Sequence, residues 1–450
     1  MSNLIPRESE ISLARQFADT FRQKFRWSRG LGWHVNRDTH WAPDHLDERY
    51  EAAKQICKQA ARGLEATVQR KICSGSTVRN VLDLVHAETD IATRVDAWDR
   101  ERHLLNTPAG LVDLRDSSYV TRRGLYRQIT AVGPDFSMPL PIWNRFLETT
   151  FNQSREVIDF MQRLAGYCLT GEIREQKLFF LHGGGGNGKS VLLNCLQKAM
   201  GMYAYALPSA ALMRQKNEQH PTLFAGLMGR RMALSSEIED GAYWAESRIK
   251  ELTGDEKISA RFMRKDFFEF SITHKHLICG NYKPRLRGDD PAMARRMILI
   301  PFDRSFAGSQ RDPHLLQKLQ AELPGVLAWA IEGARIWYRE GLSIPDHISR
   351  ASDAYMREQD DISGWVEDCC IADPSVESPA RELYRSYSEW KLNAGEHPQS
   401  ERAFAQRLER QFKRIRKNSY RGFSGIQLRP TQTLYSPSAY EMRRERVVQA

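Results

Sequence analysis

The chain has 450 residues, 41% of them apolar and 27% charged, ordinary globular usage that supports roughly three domains with their own cores. Seven cysteines without a C-x-x-C pair exclude a zinc ribbon and a disulfide scaffold and predict reduced thiols. No apolar run approaches the ~20 residues of a membrane span and Met1–Arg7 opens no apolar leader, so the expectation is a soluble, cytoplasmic protein.

The region to about Phe136 is polar and rich in Trp and Arg. Apolar periodicity predicts helices over Ile11–Phe25 and Asp47–Glu65, with short strands at Gly32–Val35, Thr39–Trp41 and Leu111–Leu114. Leu104–Gly110 reads as a turn, and Gly133-Pro134-Asp135 as a linker. From Pro141 to about Leu342 helical patterns alternate with short strands at Lys177–His182, Arg231–Ser235, Phe267–Thr273, His276–Gly280 and Met297–Phe302. That interleaving predicts an α/β layer on a largely parallel sheet, closed by an amphipathic helix over Val326–Tyr338. A second boundary falls at Gly341–Asp346. Beyond it, Arg381–Ala450 hold 15 Lys and Arg against 7 Asp and Glu, most of the net charge of +10. Such a field points to a polyanion, nucleic acid first, or to a solvated helix face.

The strongest motif is Gly183-Gly184-Gly185-Gly186-Asn187-Gly188-Lys189-Ser190, a G-x-x-x-x-G-K-[ST] loop between a β-rich run and an apolar-striped helix. Glycines let successive N–H groups turn toward phosphate oxygens, and the helix start adds its positive end. Lys189 reaches the β- and γ-phosphates, and the Ser190 hydroxyl ligates Mg²⁺. The loop predicts ATP binding.

Hydrolysis also needs an acid at a neighbouring strand end. Ser236-Glu237-Ile238-Glu239 offers two, on one side if extended geometry persists, against the plainer reading of surface acids. Asn281, after the next strand, fits a polar sensor of the γ-phosphate or a simple turn former. Arg295-Arg296 precede the last strand, as an arginine finger for a neighbouring subunit or as a surface pair.

In order, Leu164–Gly171, the phosphate loop, Ser236–Glu239, Lys250–Asp255, Gly280–Pro284, Ala294–Arg296 and Leu323–Ala330 resemble the superfamily 3 helicase core of phage, plasmid and poxvirus-type primase–helicases. Leu105–Gly110 with Asp113-Leu114-Arg115 is similar to the domain preceding that core. The resemblance implies an AAA+-like P-loop ATPase core with a mixed α/β N-terminal domain, and ATP sites between subunits of a ring, usually a hexamer. It implies translocation on single-stranded and forked DNA, typically 3′ to 5′. By position, Glu237 and Glu239 become the metal-binding and water-activating acids, their division open. Asn281 becomes the sensor, and Arg296 the finger ahead of Arg295. A DNA-contacting hairpin falls between Gly254 and Thr273, with Lys257, Arg261, Arg264 and Lys265 as contacts. No polymerase-type primase domain precedes the core, so primer synthesis is expected from a separate protein.

At the C-terminus two helical patterns, Leu383–Trp390 and Glu401–Phe412, precede basic strands flanking a turn over Asn418–Gly425. Helix–helix–wing with this charge predicts a C-terminal winged-helix-like DNA binder, as family members often carry. Lys413, Arg414, Arg416, Lys417 and Arg421 are its phosphate contacts, with a solubilising surface as the alternative. Tyr420 and Phe423 stack on DNA or fill a small core. The expected extents are 1–136, 137–345 for the ATPase core, 346–430, and a polar tail over 431–450. The leading function is an ATP-dependent DNA helicase of a mobile element in a bacterial cytoplasm. The alternatives are an origin-binding initiator ATPase and an NTP-switched regulatory or defence module.

Overall fold

A computed structural model describes residues 6–122, 124–215, 222–254, 257–263, 266–286, 290–395 and 397–430. Arg264, Lys265 and the tail over 431–450 lie outside the described residues.

The N-terminal region holds α1 (Glu10–Phe21), β1 (Phe25–Ser28), β2 (Gly32–Asn36), β3 (Trp41–Pro43), α2 (Glu48–Ala60), α3 (Ala66–Ile72), α4 (Gly75–Val85), β4 (Leu104–Thr107), β5 (Gly110–Asp113) and β6 (Ser118–Val120). Ser9 and Ser74 each accept a main-chain N–H, from Ser12 and Thr77, at 3.2 Å, so each cap fixes where its helix begins. The expected helix over 11–25 stops at Phe21 because Phe25–Ser28 pair with Gly32–Val35 instead. Phe25 then joins Leu13, Phe17, Ile56 and Val81 in a local core.

The next stretch comprises α5 (Pro141–Thr150), α6 (Arg155–Leu169), β7 (Leu178–His182), α7 (Lys189–Met200), β8 (Ala204–Ala206), α8 (Thr222–Ala225), β9 (Met232–Ser235), α9 (Glu246–Gly254), β10 (Lys257–Ala260), β11 (Phe268–Ser271), β12 (Lys275–Gly280), α10 (Pro291–Ala294), β13 (Met297–Pro301), α11 (Leu315–Gln320), α12 (Leu323–Glu340) and α13 (Asp346–Glu358). Five strands form one parallel sheet in the order β13-β7-β12-β9-β8. Leu178–Leu181 are fully buried, as continuous apolar runs are in a parallel sheet covered on both faces. From β7 the chain crosses to the far edge, returns through β9 to β12, then passes to the other side of β7. This places a switch point beside β7, where open α/β sheets bind ligands at their strand ends.

Helices α6 and α12 pack through glycines. A Cβ on Gly333 would lie 2.0 Å from the Gln162 carbonyl oxygen, and one on Gly166 1.9 Å from the Ala334 nitrogen, so the two backbones touch. The pair β10–β11 stands apart from the parallel sheet as an antiparallel hairpin.

The remaining elements are α14 (Asp361–Cys369), β14 (Cys370–Pro379), α15 (Ala380–Asn393), α16 (Glu401–Leu408), β15 (Lys413–Arg416) and β16 (Arg421–Leu428). Their antiparallel sheet runs β14-β16-β15, over a core of Trp365, Leu383, Tyr387, Phe404, Leu408, Phe423 and Ile426. The hairpin turn is shorter than the expected 418–425, since pairing already begins at Arg416 and Arg421. By contact the chain divides into two compact units, one up to Arg285 with Ala292–Ser352, the other from Asp353 onward with Leu286–Pro291. Among the described residues no helix is long and apolar enough to cross a membrane. Cys73 is exposed and Cys369 half-buried, while the other five cysteines are buried as expected, and all seven are free thiols.

Candidate functional site: a cavity at the strand ends

The loop over 183–188 runs from the end of β7 into α7. Gly185, Gly186 and Gly188 take φ values of +100°, +62° and +85°, a region that disfavours any side chain. Gly183 is constrained differently, because a Cβ there would meet the Asn187 amide at 2.1 Å and the Phe302 carbonyl at 2.5 Å.

The chain leaving β13 braces this loop from outside. Asn187 Nδ2 donates to the Phe302 carbonyl at 3.1 Å, Ser305 Oγ to the Gly185 carbonyl at 3.3 Å, and the Phe306 N–H to the Gly186 carbonyl at 2.9 Å. In a planar trans peptide the N–H points opposite the carbonyl. Pinning those two carbonyls therefore turns the Gly186 and Asn187 N–H groups to the other side.

Lys189 is 5% exposed. Its ammonium donates to the Gly183 carbonyl at 2.7 Å, Asn187 Oδ1 at 2.9 Å and Asn281 Oδ1 at 3.2 Å. Burial pushes its pKa down from the usual lysine range. An incoming phosphate restores a full counter-charge that three neutral acceptors do not supply.

Together these residues wall a cavity of about 1240 Å³. Its lining includes the loop, Ser190, Ser236, Glu237 and Asn281, together with Ile142 and Phe146 of α5 and Leu315 and Leu316 of α11. A lining that mixes polar and apolar side chains suits a triphosphate and a base.

The two acids separate. β9 ends at Ser235 and Glu237 adopts φ +62°, so the extended alternation behind the pairing of Glu237 with Glu239 does not persist. Glu237 reaches the cavity wall; Glu239 is exposed and is not on it. The hydroxyl of Ser190 and the carboxylate of Glu237 are oxygen donors of the kind Mg²⁺ takes. Among the described residues no cluster of three or more His, Cys, Asp or Glu stands ready for a metal, so a cation here would complete its shell from phosphate and water.

The two arginines also separate in their surroundings. Arg296 is 7% exposed; its Nε donates to Thr253 Oγ1 at 3.0 Å and its Nη1 to the Ala292 carbonyl at 2.9 Å. It ties α9 and α10 together within its own subunit. Arg295 is exposed, and its main-chain carbonyl accepts from Lys177 at 2.5 Å.

Sequence reading missed Arg304. It lines the cavity half-buried, its guanidinium 5.4 Å from the centre of the Phe306 ring. The available signal was its place just past the C-terminal end of a parallel strand.

In the β10–β11 hairpin Lys257 is exposed and Arg261 lies 4.9 Å from the Phe267 ring centre. Met263 and Phe267 are 71% and 56% exposed near its far end, an apolar feature the basic-tip expectation did not contain. In the C-terminal unit Lys413, Arg414, Arg416, Lys417 and Arg421 are all exposed. Lys417 pairs with Glu377 and Arg414 with Glu409, and Phe423 is fully buried while Tyr420 reaches Glu377 at 3.4 Å.

Residues 14–152 match the family described as D5 N terminal like, and residues 181–296 match a family of unknown function, DUF5906. "Putative helicase 022R" of Frog virus 3 (isolate Goorha) is 24% identical over 257 residues, 51% of this chain and 26% of that protein. "Putative helicase L207/L206" of Acanthamoeba polyphaga mimivirus is 22% identical over 269 residues, 55% of this chain and 28% of that protein. These matches show a likeness to D5-type primase–helicases. The chain spans about a quarter of the length of these curated relatives. The chain also shares its fold with the C-terminal region of NrS-1. The A-form apo structure of that region gives a TM-score of 0.53 at 12% identity, covering 91% of this chain and 97% of that one. A second A-form apo structure, of its residues 305–718, gives 0.53 at 11% identity, covering 93% and 100%.

Proposed function

We propose that the chain is an ATP-driven DNA helicase, working as a hexameric ring that tracks one strand 3′ to 5′ during replication of a phage, plasmid or integrated element. The observation that carries this is the Lys189 ammonium held against Asn281, across the ends of adjacent strands β7 and β12, in a cavity that Ser190 and Glu237 also line. ATP fits with its phosphates on the loop and its base between α5 and α11. Mg²⁺, when bound with the nucleotide, neutralises phosphate charge beside Ser190 and Glu237. Glu237 takes the acid's role and Asn281 orients the γ-phosphate and the attacking water.

Arg295 rather than Arg296 is the finger in this reading, because Arg296 is buried and its guanidinium is held by Thr253 and Ala292 inside its own subunit, while Arg295 is exposed. The α14–β16 unit reads as a winged-helix-like DNA binder, its exposed β15–β16 pair serving as the wing. Those same exposed cations favour the second reading, an origin-binding initiator.

Subunit mixing tests the trans site. Lys189→Ala and Arg295→Ala proteins, each inactive alone, are expected to regain part of their ATPase when combined, since some seams then pair an intact lysine with an intact arginine. No recovery, or an Arg295→Ala protein as active as the wild type, overturns the shared site.

A further inference from the structure

A second cleft, of about 640 Å³, opens in the same compact unit and shares no lining residue with the nucleotide cavity. One wall is the segment Arg94–Arg102; the other is Met228-Gly229 with Phe270 and Ser271 at the end of β11 and Thr273 just beyond it. Its size is that of a small-ligand site.

Most charges on its walls are already balanced. Arg94 pairs with Asp96 at 2.8 Å. The Asp99 carboxylate accepts the Arg127 and Gln128 main-chain N–H groups at 2.9 and 3.3 Å and faces the Arg127 charge. Arg100 and Arg102 are different. Both line the cleft, Arg100 exposed and facing the Asp96 carboxylate at longer range, Arg102 half-buried, and neither guanidinium is in a salt bridge among the described residues. Guanidinium groups not locked in ion pairs on a concave wall focus positive potential and present forked donors suited to phosphate oxygens.

The cleft also continues a surface. Lys257 stands directly opposite Ser271 in the hairpin ladder, and opposed residues share a face. On that face Lys257, Ser259, Glu269 and Ser271 are exposed, while Ile258, Ala260, Phe268 and Phe270 fill the other side. A polar track therefore starts in the cleft at Ser271, passes Lys257 and leads toward Arg261.

We infer that the cleft is a second nucleic-acid contact, in which Arg100 and Arg102 hold phosphodiester groups of the same single strand that lies along the hairpin. This rests on the reading of the chain as a DNA-tracking motor and adds a grip outside the hairpin.

The test is fluorescence anisotropy of a labelled oligo-dT on the full chain over a salt series. Each phosphate contact to a single strand contributes about 0.7 to the log–log salt slope. The Arg100→Gln/Arg102→Gln protein is expected to bind with a slope shallower by about 1.4, while Arg100→Lys/Arg102→Lys keeps most of it. If the double variant loses its cooperative melting transition, exposed Arg100→Gln alone decides, with an expected change of about 0.7. Wild-type binding with an unchanged slope in the folded variants overturns the cleft and leaves the motor standing. A wild-type chain that does not bind oligo-dT at low salt overturns both.

Discussion

Lys189 sits among three neutral acceptors, and the nearest side-chain amides, from Asn187 and Asn281, hold it at 2.9 and 3.2 Å. Removing the ammonium deletes the cation that phosphate binding needs, so Lys189→Ala should lower ATP turnover by about 10²–10³-fold, the scale for losing one preorganised electrostatic group. A steady-state phosphate-release assay reads this. The same assay separates the acids, since Glu237→Gln should lose turnover while Glu239→Gln, off the cavity wall, should keep it. Arg296→Ala leaves Thr253 and a carbonyl without their buried donor, and should cost about 1–3 kcal/mol in denaturant unfolding. Exposed Arg295→Ala should not change the unfolding midpoint. The loop's chemistry was legible because glycines, lysine and serine at fixed spacing have few other uses. The acids and arginines were legible only as pairs. Choosing within each pair needed a backbone turn at Glu237 and the packing of α10, neither of which leaves a mark in composition.

At the scale of elements, the α6–α12 contact is the tightest seam. Gly333→Ala forces a methyl group toward a carbonyl 2.0 Å from its ideal position, so it should destabilise by about 1–3 kcal/mol or more, seen as a lower melting temperature. Strand β12 begins with Lys275, which is 2% exposed. Burial, opposed by Cys168 and reinforced by Arg231, pulls its pKa down to about 7. Between that value and the ~10.4 of an unfolded lysine, the folded state is neutral there and the unfolded state is protonated. The unfolded chain then binds more protons, so stability rises with pH across this window. Thermal melts from pH 7 to 9 should show that rise, and Lys275→Met should flatten it. The parallel strands were readable as apolar runs. Several elements were not, β4 among them, since Leu104–Thr107 read as part of a turn. Helix α4 starts Gly75-Ser76-Thr77 with weak propensity, although the Ser74 cap and the spacing of Val78, Val81, Leu82 and Val85 were there to be read. Strand β14 contains Asp373, Pro374 and Ser375, a turn-like text that a sheet edge tolerates.

The whole molecule is read as a motor with one nucleotide site and basic surfaces outside it. In the C-terminal unit Lys417 and Arg414 already have acidic neighbours, which leaves Lys413, Arg416 and Arg421 as the better phosphate partners. Each contact to duplex DNA contributes about 0.9 to the salt slope. Arg416→Gln/Arg421→Gln should therefore flatten duplex binding by about 1.8. Strand displacement on a forked duplex tests the central claim most directly. Wild-type protein with ATP should release the labelled strand, and Lys189→Ala should release none at any concentration that saturates the fork. Equal displacement by the two proteins would contradict the account.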